Sequence, residues 1–128
     1  MLMVKTYVAP SLIHGVGVFA AELVKSGTRV WVLNPIIDVE ITAEQIAALP
    51  EAARETALAH SFVNDDGRMI LSRDNAVFFN HSADPNTMAK PEGNVALRDI
   101  AIGEELTEDY RRFPPGACRS FLDQARTT

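Results

Sequence analysis

Only one stretch of this chain carries a helical hydrophobic period, and a proline stands in the middle of it. In TAEQIAALPEAARETALAH, residues 42–60, Ala, Leu and Ile recur at helical spacing. Thr42 with Gln45 three positions on makes a capping box that starts a helix. Pro50 divides the stretch into two short helices, because proline has no N–H to donate and its ring clashes with the preceding turn. Everything else must fold without a long helix. Segments 3–9 (MVKTYVA), 28–33 (TRVWVL), 36–41 (IIDVEI), 68–72 (RMILS) and 94–100 (NVALRDI) combine β-branched or aromatic residues with partial alternation, and Gly, Pro, Asn and Asp fill the gaps. The expectation is a mostly β fold with short helices. With 128 residues, 47% of them hydrophobic, there is material for one core and too little for two ordinary domains. Residues 1–128 are therefore read as one domain, with 42–60 as a helical insert and 111–128 as a C-terminal segment in which PPG at 114–116 marks a turn.

Charge narrows the partners. The formal net charge is −5, from 17 acidic and 12 basic residues, so the chain as a whole does not attract phosphate backbones or anionic membranes. Direct nucleic-acid binding is not expected, and a basic partner is easier to accommodate. Cys118 is the single cysteine, which rules out an internal disulfide and a cysteine-based zinc knot and fits a reducing, cytoplasmic setting. MLMVKTYVAP lacks an apolar signal region, and no run approaches the ~18 apolar residues of a membrane span, so a soluble, unprocessed chain is expected.

Three short stretches carry candidate chemistry. In SLIHGVGVFA, Gly15, Gly17 and Ala20 satisfy a dinucleotide-binding pattern formally, but Gly27 arrives before a crossover helix can form. Two glycines in a tight strand-to-strand bend is the better reading. In FFNHSADPNT, Asn80 and Asn86 taken alone are Asx-turn residues, and His81 alone is a loop histidine with one hydrogen bond. In EELTEDY, residues Glu104, Glu105, Glu108 and Asp109 alone make a solvated acidic turn, and Tyr110 alone is the polar-tipped edge of a core. No pair among His14, His60, His81 and Cys118 has metal-ligand spacing, so no metal site is expected.

Taken together, in order and spacing, the three stretches resemble the motifs of the SET-domain protein methyltransferases. SLIHGVGVFA is similar to S-x-I-H-G-x-G-x-F-A, NHSADPN to N-H-S-C-x-P-N, and IAIGEELTEDY to I-x-x-G-E-E-L-T-Y-D-Y, and the likeness runs from Ser11 to Tyr110. The resemblance implies a β-clip fold in which the N-H-S and E-L-x-x-D-Y segments form a knot-like core beside S-adenosylmethionine. It implies that Asn80 bonds the donor's amino-acid end, that the His81 backbone reads the adenine, and that the backbone of His14, Gly15, Val16 and Gly17 approaches the methionine portion. Tyr110 becomes the catalytic tyrosine at the mouth of a lysine channel, and also touches the donor. Phe113 or Phe121 lays its ring on the adenine, or a second copy of the chain, in a homodimer, supplies that cover.

The activity so implied is methyl transfer to a lysine of a protein or peptide, an in-line displacement that needs positioning and desolvation rather than a metal. Glu108 stands where the family often has Phe or Tyr; an extended chain over 106–110 turns it toward the channel along with Phe62 and Trp31, whereas a turn at Thr107 faces it to water. Ala83, Val77, Arg73-Asp74 and residues 33–35 also depart from the family pattern. Two other readings fit the same features: a SET-like module that binds S-adenosylmethionine or a basic peptide without turnover, and a β-clip dimerisation domain with no ligand.

Overall fold

The computed structural model describes residues 1–63 and 68–112. Strand β1 (Thr6–Pro10) turns through residues 11–15 into β2 (Val16–Ala20), and the two pair antiparallel with Tyr7 opposite Phe19 and Val8 opposite Val18. The Tyr7 and Phe19 rings stack with centroids 5.5 Å apart, a cross-strand aromatic contact that fixes the register. The G-x-G stretch is thus half bend and half strand. Gly15, with φ of +49°, makes the turn, whereas Gly17 lies within β2.

Beyond this hairpin come β3 (Arg29–Trp31), β4 (Asp38–Ile41), α1 (Ala43–Ala47), α2 (Glu51–His60), β5 (Phe62–Val63), β6 (Met69–Ser72), β7 (Asn80–His81), β8 (Thr87–Lys90), β9 (Gly93–Ala96) and β10 (Thr107–Glu108). One-turn 3-10 segments follow β6 at Asn75–Phe78 and β10 at Tyr110–Arg112. The strands form four small sheets: β1–β2, β3–β9–β8, β4–β6–β5, and the parallel pair β7–β10. Val18, Ala20, Val24, Val30, Phe79, Ala96, Ile100 and Leu106 build the core, drawn from many short pieces rather than from one amphipathic element.

The helical insert forms as its local chemistry dictates. Thr42 Oγ1 accepts from the Gln45 N–H at 3.1 Å while Gln45 Oε1 accepts from the Thr42 N–H at 2.9 Å, and Pro50 occupies the N-cap of α2. Only Ile46 and Ala57 of the two helices are buried, so the insert lies on the surface. No helix among the described residues is long and apolar enough to cross a membrane.

Several strands are shorter than their apolar runs. The strand expected from residue 36 begins at Asp38, because the Asn34 carbonyl accepts from the N–H groups of Ile37 and Asp38 and holds the chain in a turn. The strand expected over 94–100 stops at Ala96. There Asp99 leaves the ladder and its carboxylate accepts from the Ser26 N–H at 2.8 Å, after which Ile100 returns as a bridge to Val24. Gly93 enters β9 with φ of +127°, and a Cβ built on it would lie 2.2 Å from the Trp31 carbonyl oxygen. That closeness lets β3 and β9 pair across the floor of the region described next.

Candidate active site

The second and third motifs lie side by side. In the parallel pair β7–β10, Asn80 is in register with Thr107 and His81 with Glu108, and the Ser82 N–H donates to the Glu108 carbonyl at 2.9 Å. Asn86 clamps this arrangement. Its buried amide donates to the Glu105 carbonyl at 2.7 Å and to Glu104 Oε2 at 2.9 Å, and its Oδ1 accepts from the Thr107 N–H at 2.9 Å. A two-residue strand such as β10 has too few ladder bonds to hold itself, so side-chain bonds of this kind replace them. Asn86 is therefore a bridge between distant segments and not a local Asx turn.

Asn80 and Glu105 fasten the first motif to the other two. Asn80 Nδ2 donates to the carbonyls of His14 and Val16, each at 3.1 Å, and to Glu105 Oε2 at 2.9 Å. Three acceptors around one amide nitrogen fix the orientation of the group, and leave Oδ1 as the atom without a partner among the described residues. The Glu105 carboxylate also accepts from Ser11 Oγ at 2.8 and 3.0 Å. A Cβ on Gly17 would sit 2.4 Å from Glu105 Oε2, so the glycine at this place clears room for the carboxylate. Ser11 and Glu105 were not picked out by motif reasoning as site-forming residues; the signal available was their place at the start of the first motif and in the third.

His81 is buried, and its Nδ1 accepts from the Tyr110 N–H at 3.0 Å. The proton of the neutral ring therefore belongs on Nε2, which is buried without a partner among the described residues. Burial holds the His81 pKa below its ordinary value, against the opposing pull of Asp109. So His81 contributes a side-chain bond that orients Tyr110, beyond the backbone and packing role expected for it. The Tyr110 hydroxyl donates to the Phe79 carbonyl, and its ring lies 5.5 Å from that of His81. Burial above all, then the nearby carboxylates of Glu108 and Glu105, push the Tyr110 pKa up, and the phenol stays neutral across the physiological range.

Glu108 and Tyr110 face a cavity of about 70 Å³ lined also by Trp31, His60, Phe62, Val77 and Phe79, while Leu106 belongs to the core. Trp31 and Phe62 meet edge to face at 5.6 Å. Glu108 is only 7% exposed and accepts from Asn94 Nδ2. Trp31, Phe62, Glu108 and Tyr110 are thus brought together, while His14, Gly15, Val16 and Gly17 gather at Asn80 and do not line this cavity. Phe113 and Phe121 lie outside the described residues. None of the four acidic residues of the third motif forms a solvated turn: Glu104 pairs with Asn86, Glu105 with Ser11 and Asn80, Glu108 with Asn94, and Asp109 with Arg111 at 2.8 Å. Among the described residues no group of three or more His, Cys, Asp or Glu side chains could hold a metal ion.

A model of the SET domain family matches residues 15–111. The chain is a SET domain. It is 34% identical over 144 aligned positions to the histone-lysine N-methyltransferase, H3 lysine-4 specific, of Neurospora crassa, an alignment that takes in 90% of this SET domain and 10% of that protein. The chain therefore spans about a tenth of the relative's length. Among solved structures it superposes on a candidate histone methyltransferase of Plasmodium falciparum with a TM-score of 0.62 at 20% identity, covering 85% of this chain and 95% of that one. A chain from an apo PRC2 complex carrying Ezh2 mutations gives a TM-score of 0.62 at 22% identity over 88% of this chain and 16% of that one. At these identities the superpositions speak to the fold: mostly strands with two short helices, in the SET arrangement.

Glu108 gives this SET domain a distinct stability signature. Burial pushes its carboxyl from the ordinary 4.5 up to about 7. The folded state holds this proton to higher pH than the unfolded chain, so the contribution of Glu108 to stability is full below about 4.5 and is lost as pH rises through about 7. The loss is on the order of 3 kcal/mol by the usual conversion of pKa difference to free energy. Thermal midpoints of Glu108→Gln, which keeps the size and loses the ionisation, are expected to decline less than those of the parent between pH 5 and 8. Parallel declines in the two proteins would contradict the buried carboxylate.

Proposed function

We propose that this SET domain transfers a methyl group from S-adenosylmethionine to the ε-amine of a lysine in a protein or peptide. The observation that carries the reading is the Tyr110 hydroxyl, spent as a donor on the Phe79 carbonyl at the wall of a narrow, aromatic-lined cavity. A hydroxyl whose only proton is already committed meets an incoming group with its lone pairs. It can accept from the N–H of a lysine and hold the amine in one orientation, which is the main requirement of an in-line displacement. The cavity walls exclude water from the amine and strengthen that contact.

The residues on the far side of Asn80 fit the methyl donor. Residues 14–16 are exposed, and a Cβ on Gly15 would meet nothing within 4 Å, so the loop presents an open face. Asn80 Oδ1, turned away from the three acceptors that hold its amide, is suited to accept from the donor's ammonium. Asn80 and the His14–Gly17 backbone would hold the donor's amino-acid end, with His81 beside the adenine. When bound, S-adenosylmethionine supplies a methyl group made electrophilic by its sulfonium. The substrate class is supported by the name of the relative, a histone-lysine N-methyltransferase, and by the net charge of −5, which favours a basic partner.

Calorimetric titration with S-adenosylmethionine, followed by transfer of a labelled methyl group to a mixture of core histones, tests the reading. Saturable one-site binding and labelled histone are expected. The same titration on a folded Asn80→Ala should lose the contact to the donor and part of the anchor on residues 14–16, for a combined cost of about 1.5 to 3 kcal/mol in binding. Unchanged affinity in that variant would take Asn80 out of the donor site.

A further inference from the structure

The cavity beside Tyr110 holds a carboxylate, and among the described residues neither Lys nor Arg lines it. Glu108 accepts a hydrogen bond from the neutral amide of Asn94. The other titratable groups around Glu108 are Tyr110 and His60 on the cavity wall and His81, its register partner on β7. From β3 and β9 come Trp31 and Asn94, which do not titrate. Tyr110 is held neutral and its hydroxyl proton is engaged at Phe79; His81 is held neutral and its Nδ1 is engaged by the Tyr110 N–H. His60 Nδ1 lies 2.9 Å from the Thr56 carbonyl, within its own helix. Neither Tyr110 nor His81 carries a charge that neutralises Glu108, and a phenol held neutral is too weak to take a proton from an ammonium, which leaves the Glu108 carboxylate and Nε2 of His60 as the proton acceptors on the cavity wall. The aromatic side chains of Trp31, Phe62 and Tyr110 line the space, a setting that favours an organic cation.

We infer that Glu108, positioned by Asn94, pairs with the ammonium of the substrate lysine and then takes its proton, acting as the general base of the transfer. The inference rests on the methyltransferase reading above. The step balances simply. One N–H bond of the ammonium breaks and the proton passes to the Glu108 carboxylate, leaving a neutral amine whose lone pair forms the new N–C bond. The C–S bond of the donor breaks at the same time and sulfur keeps its electron pair as a neutral thioether. The proton on Glu108 then leaves to water. Burial raises this carboxyl to about 7 in the empty cavity and an ammonium beside it lowers it again, so the proton transfer runs uphill and is drawn forward by the methyl transfer that consumes the neutral amine.

Two measurements test this, and one of them needs no methyl donor. Carbon-13 NMR of the Glu108 carboxyl group, titrated with and without n-butylammonium chloride, reads whether the cavity takes an alkyl cation beside it. Sodium chloride at the same concentration is the control. A pKa lowered by n-butylammonium alone is expected, and equal titration curves overturn the inference. The second measurement is the pH dependence of kcat for labelled-methyl transfer to core histones by the parent and Glu108→Gln. The variant is expected to lose about 100-fold at pH 7 and to recover toward the parent at pH 9, where the solvent deprotonates more of the amine. A constant gap at every pH marks a structural role and overturns the base, and overlapping profiles overturn it as well. A parent that shows the n-butylammonium shift yet transfers no methyl group sinks the enzyme reading, and the base with it. Transfer by the parent with no n-butylammonium shift sinks the role of Glu108 alone.

Discussion

Tyr110→Phe is expected to fold like the parent, to bind S-adenosylmethionine within about threefold, and to lose roughly two to three orders of magnitude in kcat. The variant keeps the ring that packs 5.5 Å from His81 and the backbone N–H that donates to it. It removes one oxygen, and with that the acceptor that faces the cavity. The lost bond to the Phe79 carbonyl costs about 1 to 2 kcal/mol of stability, too little to unfold a typical domain. In the proposed mechanism the hydroxyl would orient the amine, a contribution to the reacting geometry rather than to donor binding, so kcat is expected to fall and affinity for the donor is not. Single-turnover transfer within about threefold of the parent would show that the tyrosine only packs.

Gly93→Ala is expected to be the most damaging single-methyl change in the fold, at about 3 to 5 kcal/mol. Two costs combine there. The φ of +127° is one that residues with a Cβ rarely adopt, and the new Cβ would lie 2.2 Å from the Trp31 carbonyl oxygen. A carbonyl cannot swing aside as a side chain can; β3 must move away from β9 and carry Trp31, a wall of the cavity, with it. Gly27 provides the control. Its φ of +83° is also positive, but a Cβ there meets nothing within 4 Å, so Gly27→Ala should cost only about 1 to 2 kcal/mol. Urea unfolding of the two variants separates the effects, and similar losses in both would mean that contact with Trp31 carries no weight.

What could be read from the sequence was what is local or what is repeated across a family. The capping box at Thr42 and the break at Pro50 are decided by neighbours within one turn, and both appear as expected. The three motifs were legible because their residue types are fixed by tight mutual contacts: Asn80 must reach two carbonyls of the first motif, and Gly17 must leave space for Glu105. Read one residue at a time, the same letters misled. Glu105 and Glu108 look like surface charges because nothing nearby in sequence tells that Ser11 and Asn94 come to meet them. Strands β7 and β10 have two residues each, too few for any period, and are held by Asn86 and Thr87 bonding to Thr107 across the sheet. β8, TMAK, has no clean alternation, and its pairing is set by the turn at Gly93. Asn94 was legible only as the start of the strand expected over 94–100, and nothing in that pattern tells that its amide reaches Glu108.

Peptide mass spectrometry after incubation with carbon-13-methyl S-adenosylmethionine and core histones tests the central claim most directly. The protein as a lysine methyltransferase should place the labelled methyl on a lysine Nζ, and Tyr110→Phe should leave that lysine unlabelled over the same time. Calorimetric binding of S-adenosylmethionine with no labelled lysine, in histones or in total soluble lysate protein, would contradict the account and leave a SET domain that binds without transferring.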